Sequence, residues 1–388
     1  MTTTRRAFVL SSLALCAPAL AQEQGFARFL ETLWPQAQAA GVSRAVFETL
    51  LSLTPDKSLM GSGTRQAEFE RTIQQYLESA VNGARVKKGQ ELARQWHTQL
   101  SRIEAQSGLT ASVILAAWGM ETDYGRAHGE RDVLRSLATL AFARRDNPVF
   151  AREVVAALVL LQRGLVPRER LKGSWAGAMG HPQFMPSAYL NYAVSYDGKS
   201  APDIWSNVAD ALASIGNFLK QEGWQKELPW GAPVDVPSGF AWDALSDSAG
   251  HFAAKGVKSS LPADAKVSLF APAGAQGPAF LITSNFFVLK QYNNSDSYAL
   301  SLSVLSERIE GRPGITKSWP KEFRILERPD RVKLQQALTR HGFYEGKIDG
   351  RFGPSSREAI HRFQKAAGLH PADGFASKRV LDTALAYR

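Results

Sequence analysis

Glu121 is the residue of this chain best placed to do acid–base chemistry. It ends the run Val113-Ile114-Leu115-Ala116-Ala117-Trp118-Gly119-Met120. That run is apolar on every helical face, and a helix apolar all round is a buried one. A carboxyl group at the end of such a run is poorly solvated, which disfavours its charged form. A carboxyl that keeps its proton near neutral pH can donate it to a glycosidic oxygen. The competing reading is a helix-end glutamate turned to water. Asp123, two residues on, is the obvious second carboxylate, but residues i and i+2 do not share a helix face.

Two further clusters stand out. Gly173-Ser174-Trp175-Ala176-Gly177-Ala178-Met179-Gly180-His181-Pro182-Gln183-Phe184-Met185-Pro186-Ser187 is rich in glycine, which permits close backbone approach. Gln183 offers donor and acceptor together, and Phe184 and Met185 offer apolar surface to a sugar face. A packed loop is the plain alternative. Gln291-Tyr292-Asn293-Asn294-Ser295-Asp296-Ser297-Tyr298 puts rings and amides side by side, as a carbohydrate surface does. Its alternative is an Asn-rich turn capping the helix that carries Tyr298. Other chemistries lack support: there is no HExxH, no P-loop, no dinucleotide fingerprint and no G-x-S-x-G elbow. Around Asp197-Gly198-Lys199, alternate acids are needed for calcium, and only Asp197 supplies one. No metal and no cofactor are expected.

The elements that must hold these clusters follow from periodicity. Residues 26–160 read as helical, with Leu92, Trp96, Leu100 and Ile103 as one stripe and Thr110 as a possible cap of the Glu121 run. Helices are predicted over 148–163, 208–222 and 298–309. Between 173 and 205, Gly and Pro mark loops. From 229 to 289 short β-like runs such as Val267–Phe270 and Phe280–Ile282 predict a small β-containing subdomain. The stretch 311–329, with Pro313, Pro320 and Pro329, reads as a linker. The last unit, 330–388, has Leu334, Leu338, Ile360 and Phe363 as its core and an internal echo: Lys347-Ile348-Asp349-Gly350 and Pro371-Ala372-Asp373-Gly374.

Composition bounds the rest. The 388 residues carry 44% apolar and 21% charged side chains, an ordinary globular balance that excludes disorder and collagen. One cysteine excludes a disulfide framework. The net charge of +10 calls for a polyanionic partner, but the basic residues are dispersed, which disfavours nucleic acid. Residues 1–21 read as an export signal: Arg5-Arg6 begins it, the apolar run 7–21 is too short to span a bilayer, and Ala19-Leu20-Ala21 suits signal peptidase. Thr4-Arg5-Arg6-Ala7-Phe8-Val9 resembles a twin-arginine signal. Acylation at Cys16 is the lesser alternative, because Leu15 precedes it. Loss of Arg5 and Arg6 would bring the charge to +8. No other run is long enough for a membrane span.

Taken together the clusters resemble the membrane-bound lytic murein transglycosylase B family (glycoside hydrolase family 103), over about Phe26 to Trp319. Ala117-Trp118-Gly119-Met120-Glu121-Thr122-Asp123-Tyr124-Gly125 is similar to its catalytic glutamate motif, and 173–187 to its most distinctive stretch. The resemblance implies a mainly α (α+β) fold: a lysozyme-like catalytic domain, 22–310, with a small β-containing subdomain. It implies Glu121 as sole catalytic acid and base, with Tyr76, Arg144, Arg145, Ser174, Gln183, Phe184, Met185, Tyr292, Asn293 and Tyr298 binding substrate. Some family members hold calcium in an EF-hand-like loop; Asp197 and Asp210 match it here, while Ser195 and Lys199 depart from it. The tail, 330–388, resembles a three-helix type 1 peptidoglycan-binding domain through Leu334-Gln335-Gln336-Ala337-Leu338, Gly342-Phe343-Tyr344, Asp349-Gly350-Arg351-Phe352-Gly353 and Phe363-Gln364.

The implied activity is lytic cleavage of the β-1,4 bond between N-acetylmuramic acid and N-acetylglucosamine in peptidoglycan, leaving 1,6-anhydromuramoyl ends. The alternatives are a hydrolytic muramidase on the same fold, with Asp123 or another acid positioning water, and a non-catalytic wall-binding protein. The implied partners are peptidoglycan glycan strands, with no nucleic acid. The protein is expected to be periplasmic and monomeric, with recruitment to cell-wall synthesis complexes open. The tail is expected to act as a tether, so that removing it would weaken binding to sacculi but spare cleavage of soluble strands.

Overall fold

Apolar residues at a 3.6 period give helices in this chain, and Gly- and Pro-punctuated runs give short strands. The structure, a computed structural model, describes residues 17–61, 71–321 and 324–387. Arg5, Arg6 and Cys16 lie outside them; a helix Ala17–Glu31 runs through the point after Ala21 where the expected signal ends. The fold is mainly α, as the resemblance implies, with two small antiparallel sheets, of which the sequence predicts the one within 229–289. Among the described residues no helix is long and apolar enough to cross a membrane.

The chain divides into two compact units that alternate along the sequence: Met1–Thr64 with Glu121–Asn217, and Arg65–Met120 with Phe218–Arg388. In the first, Val133–Ala143 packs on Pro148–Gln162 and on Ala17–Glu31. Asp132 caps Val133–Ala143 by accepting from the Arg135 N–H, and every residue from Val133 to Ala141 except Arg135 is buried. Phe26 meets Phe142 edge-on at 5.4 Å. Arg131–Asp132 pairs with Lys172–Gly173, so the chain entering one helix is stitched to the chain entering the glycine-rich loop.

In the second unit Asp296–Ile309 is the axis. It is buried along nearly its whole length and packs against Ile73–Ala80, Gly83–Gln95 and Ser284–Lys290. Ile73–Ala80 starts with a complete capping box between Thr72 and Gln75. The Leu92–Ile103 stripe is two helices, Gly83–Gln95 and His97–Ser107, with Trp96 between them at φ −102°, ψ 18°. The stripe survives because the Trp96 N–H still donates to the Leu92 carbonyl and its carbonyl still accepts from Leu100. The Ala111 N–H is taken by the carboxylate of Glu104, on the preceding helix, at 2.5 Å, while Thr110 Oγ1 pairs with Ser112 Oγ at 2.8 Å.

The predicted β runs are the two central strands of a four-stranded antiparallel sheet, in the order Gly231–Val234, Ala279–Ile282, Lys266–Phe270, Ser246–Ser248. Ala279–Ile282 is buried at every position, as a central strand covered on both faces must be. The last three helices, Arg328–Arg340, Pro354–Ala366 and Lys378–Ala386, enclose a core of Leu334, Leu338, Ile360, Phe363 and Leu381. The sequence echo is structural. Buried Gln335 accepts from the Gly350 N–H at 2.7 Å, and buried Gln364 accepts from the Gly374 N–H at 2.8 Å. Each Asp-Gly turn is thus held by a glutamine of the helix before it.

Candidate active site

Eight buried residues in a row, Ser112 to Gly119, carry the Ala111–Thr122 helix to a half-buried Glu121 one residue from its end. The helix stops there because Asp123, Tyr124 and Gly125 take positive φ (51°, 61° and 88°), a region rare for non-glycine residues. Thr122, 1% exposed, fixes the stop: its Oγ1 donates to the His181 carbonyl at 3.1 Å and accepts from the Gly125 N–H at 3.0 Å. The residue after Glu121 is therefore bonded directly to the glycine-rich loop. With the helix ended, Asp123 lies in the turn, and its carboxylate pairs with Arg126 at 2.7 Å.

Under this turn His128 Nε2 and His181 Nδ1 are 3.0 Å apart. Burial and then the neighbouring His128 bring the His181 imidazole down to about 4, and burial lowers His128 as well. Both rings stay neutral, and one must donate to the other. Gly125 is required here: a Cβ would overlap the His181 ring.

The loop 173–187 is wound on itself. Met179 and Phe184 exchange backbone hydrogen bonds at 2.8 and 3.1 Å, and the Ser174 Oγ accepts from the Ala178 N–H at 3.1 Å. Gln183, at φ 52°, donates through Nε2 to the carbonyls of His128 (3.1 Å) and Gly180 (2.9 Å). Its amide nitrogen is part of the loop's own framework. Ser174 and Gln183 do meet at one opening of about 560 Å³, with Trp175, Ser58 and Arg131. Glu121 does not line it. Phe184 corrects the expectation of an open ring: it is 3% exposed and packs inward, against Tyr192 among others. Met185 is half-buried and precedes Pro186–Tyr192, whose Ser187 gives its N–H and its hydroxyl to buried Glu153 at 2.9 and 2.6 Å. Arg144 and Arg145 diverge: Arg145 lies over Phe142 (4.4 Å) and Phe29 (5.3 Å), Arg144 over Phe150 (5.7 Å).

The second unit holds the remaining residues. Tyr76 is half-buried on Ile73–Ala80, which packs on the helix of Tyr298. Tyr292 stacks on Tyr298 at 6.2 Å and 26° and meets Phe218 edge-on at 4.6 Å. Tyr298 is 2% exposed, so it too is a wall packed from behind and not a free-standing platform. The cluster is a capped turn as well as a ring stack, and the cap is Ser295, whose Oγ accepts from the Tyr298 N–H at 3.3 Å. Half-buried Asn293 and exposed Asn294 donate their N–H groups to the Lys290 carbonyl.

Three positioning residues escape a sequence reading: Glu153, His128 and Asp296. Each is a polar residue whose role depends on a partner far along the chain. Burial would push the Asp296 carboxyl up, but Arg357 and Lys290 beside it hold it below its ordinary value. The loop around Asp197 does not fit a divalent cation. Asp197 accepts from the Ser195 hydroxyl and the Lys199 N–H, and Asp210 from the Tyr196 and Asp203 N–H groups. Asp197 Oδ1 and both oxygens of Asp210 are thus engaged by backbone and hydroxyl groups, and Lys199 adds a positive charge. Among the described residues no group of three or more His, Cys, Asp or Glu is placed to hold a metal ion.

The family model for the transglycosylase SLT domain matches residues 25–307, and that for a peptidoglycan binding domain matches 327–383. Membrane-bound lytic murein transglycosylase B of Escherichia coli (strain K12) is 30% identical over 243 residues, which span 60% of this chain and 66% of that protein. The crystal structure of SltB3 from Pseudomonas aeruginosa in complex with NAG-anhNAM-pentapeptide is similar at a TM-score of 0.83 and 37% identity, over 93% of this chain and 99% of that one. The Escherichia coli lytic transglycosylase Slt35 in complex with calcium gives 0.60 and 26%, over 74% of this chain and 92% of that one.

Proposed function

Because this chain belongs to the transglycosylase SLT domain family, we propose that it is a lytic transglycosylase of peptidoglycan with Glu121 as its one acid and base. The observation that carries the assignment of Glu121 is its place: half-buried, one residue before Thr122, whose side chain bonds the 173–187 loop. Protonated Glu121 donates to the oxygen of the β-1,4 bond between N-acetylmuramic acid and N-acetylglucosamine as that bond breaks. The substrate's own 2-acetamido group stabilises C1, so no carboxylate nucleophile is needed; substrate assistance is a known exception to the two-carboxylate rule. Ionised Glu121 then takes the proton of the C6 hydroxyl, whose oxygen bonds to C1 and closes the 1,6-anhydro ring. No water enters the balance. The pairing of Asp123 with Arg126 accords with a mechanism that uses one carboxyl group.

We assign Ser174, Gln183, Phe184 and Met185 to the glycan-binding wall on the family resemblance; Ser174 and Gln183 share one opening. Tyr76, Arg144, Arg145, Tyr292, Asn293 and Tyr298 complete the saccharide contacts. The C-terminal module binds the wall. A peptidoglycan substrate places the protein outside the cytoplasm; we read residues 1–21 as the export signal, the mature protein as periplasmic and monomeric.

The test is mass spectrometry of products from purified sacculi. Anhydromuramoyl ends are expected, and their loss in Glu121→Gln. Reducing muramic ends alone would make the protein a hydrolase, and no release at all would leave a wall-binding protein.

A further inference from the structure

Within the second unit, the C-terminal module meets the helix that carries Tyr298. Arg357, in the first turn of Pro354–Ala366, places its guanidinium 2.6 Å from Asp296 Oδ2 and 4.7 Å from the centre of the Phe270 ring. Lys290 Nζ lies 2.8 Å from Asp296 Oδ1. All three charged side chains are 15% exposed. Asp296 opens Asp296–Ile309, two residues before Tyr298, and Lys290 ends Ser284–Lys290, two residues before Tyr292. The carbonyl of the same lysine accepts from Asn293 and Asn294. The loop 291–295 is thus closed at its mouth by the Lys290–Asp296 pair, and the module supplies the second cation on that pair.

A module serving only as a tether has no need of a largely covered cation on the Lys290–Asp296 pair. The joint is also more than one contact: Asp373 Oδ2 accepts from the Ala275 N–H at 2.9 Å, and Lys365 Nζ donates to the Asp243 carbonyl at 3.2 Å. Taking one partner from a buried ion cluster leaves an uncompensated charge. Here that charge would sit at the first residue of the Tyr298 helix.

We propose that Arg357 is a positioning residue: acting through Asp296 it sets the loop of Tyr292 and Asn293 and the start of the Tyr298 helix, so that the C-terminal module forms part of the substrate site. This rests on the reading above that those residues bind the glycan.

The test compares full-length wild type, Arg357→Gln, Arg357→Lys, Asp296→Asn, the Arg357→Gln/Asp296→Asn double variant and Lys365→Ala on short soluble glycan strands. In Arg357→Gln we expect KM to rise about tenfold, ~1.4 kcal/mol, as befits residues in contact, with kcat nearly unchanged. Arg357→Lys should recover most of that, Lys365→Ala should show none, and the double variant should be no worse than Arg357→Gln. An unchanged KM in Arg357→Gln, or additive losses in the double variant, would overturn the proposal. Loss of sacculus sedimentation without a change in soluble-strand KM would also overturn it, leaving a tether. Wild type that releases no anhydro product from soluble strands would instead defeat the functional reading beneath it.

Discussion

His128 Nε2 and His181 Nδ1 stand 3.0 Å apart, their rings edge to face at 4.1 Å, directly under the turn that follows Glu121. Two imidazoles this close cannot both be charged at low cost, and the site is folded around the neutral pair. His181 titrates near 4 in the fold, chiefly because it is buried, against about 6.5 unfolded. A base with a depressed folded value binds protons in the unfolded chain first. Stability is therefore full above pH ~6.5 and falls as the pH drops toward 4, by roughly 3 kcal/mol at most. Denaturant unfolding at pH 7, 6 and 5 should show this fall; a flat profile would refute it.

Gly125 combines a φ of 88° with a side that faces the His181 ring, whereas Gly198 has a φ of 73° and open space. Gly198→Ala should cost only the left-handed backbone penalty, about 1–2 kcal/mol. Gly125→Ala should cost that plus overlap, ~3 kcal/mol or more, and should depress cleavage as the turn after Glu121 shifts. Thermal unfolding of the two variants side by side is decisive: equal losses would mean that the ring does not constrain Gly125.

Glu153 is 8% exposed and accepts both the N–H and the hydroxyl of Ser187 at the start of Pro186–Tyr192. A carboxylate on an uncapped helix N-terminus gains from charge-assisted bonds and from the dipole. Glu153→Gln keeps the shape but turns a donor toward a donor. A loss of about 1–3 kcal/mol is expected, measurable as a lower melting temperature. No loss would show that Ser187 can cap itself.

The paired glutamines of the module give a symmetric prediction. Gln335→Ala orphans the N–H groups of Asp349 and Gly350, and Gln364→Ala that of Gly374. Each should destabilise the module by about 1–3 kcal/mol. Weaker sacculus sedimentation at raised temperature is the readout. Retention of both in Gln→Leu, which matches the volume but not the bonds, would show that packing alone holds the turns.

Much of this protein is written locally. The all-apolar run before Glu121 reads as a buried helix, because its residues leave no polar face. Val267–Phe270 and Phe280–Ile282 read as short β-like runs; their central place in the sheet comes from the fold. The Asp-Gly echo betrays a repeated turn, although the glutamines that hold it sit about ten to fifteen residues away.

Other features depend on partners distant in sequence. Trp96 breaks its helix without a breaker residue. Phe184 and Tyr298 look like open sugar platforms by type, yet are packed from behind, since exposure is a property of neighbours and not of a side chain. Asp296 reads as one more acid in an Asn-rich turn until Arg357, sixty-one residues on, closes over it. The division into two units that alternate along the chain has no linear signature either. Residue type and spacing determined where a catalytic carboxyl could be. Tertiary packing decided which neighbours hold it, because burial and charge pairing act across space.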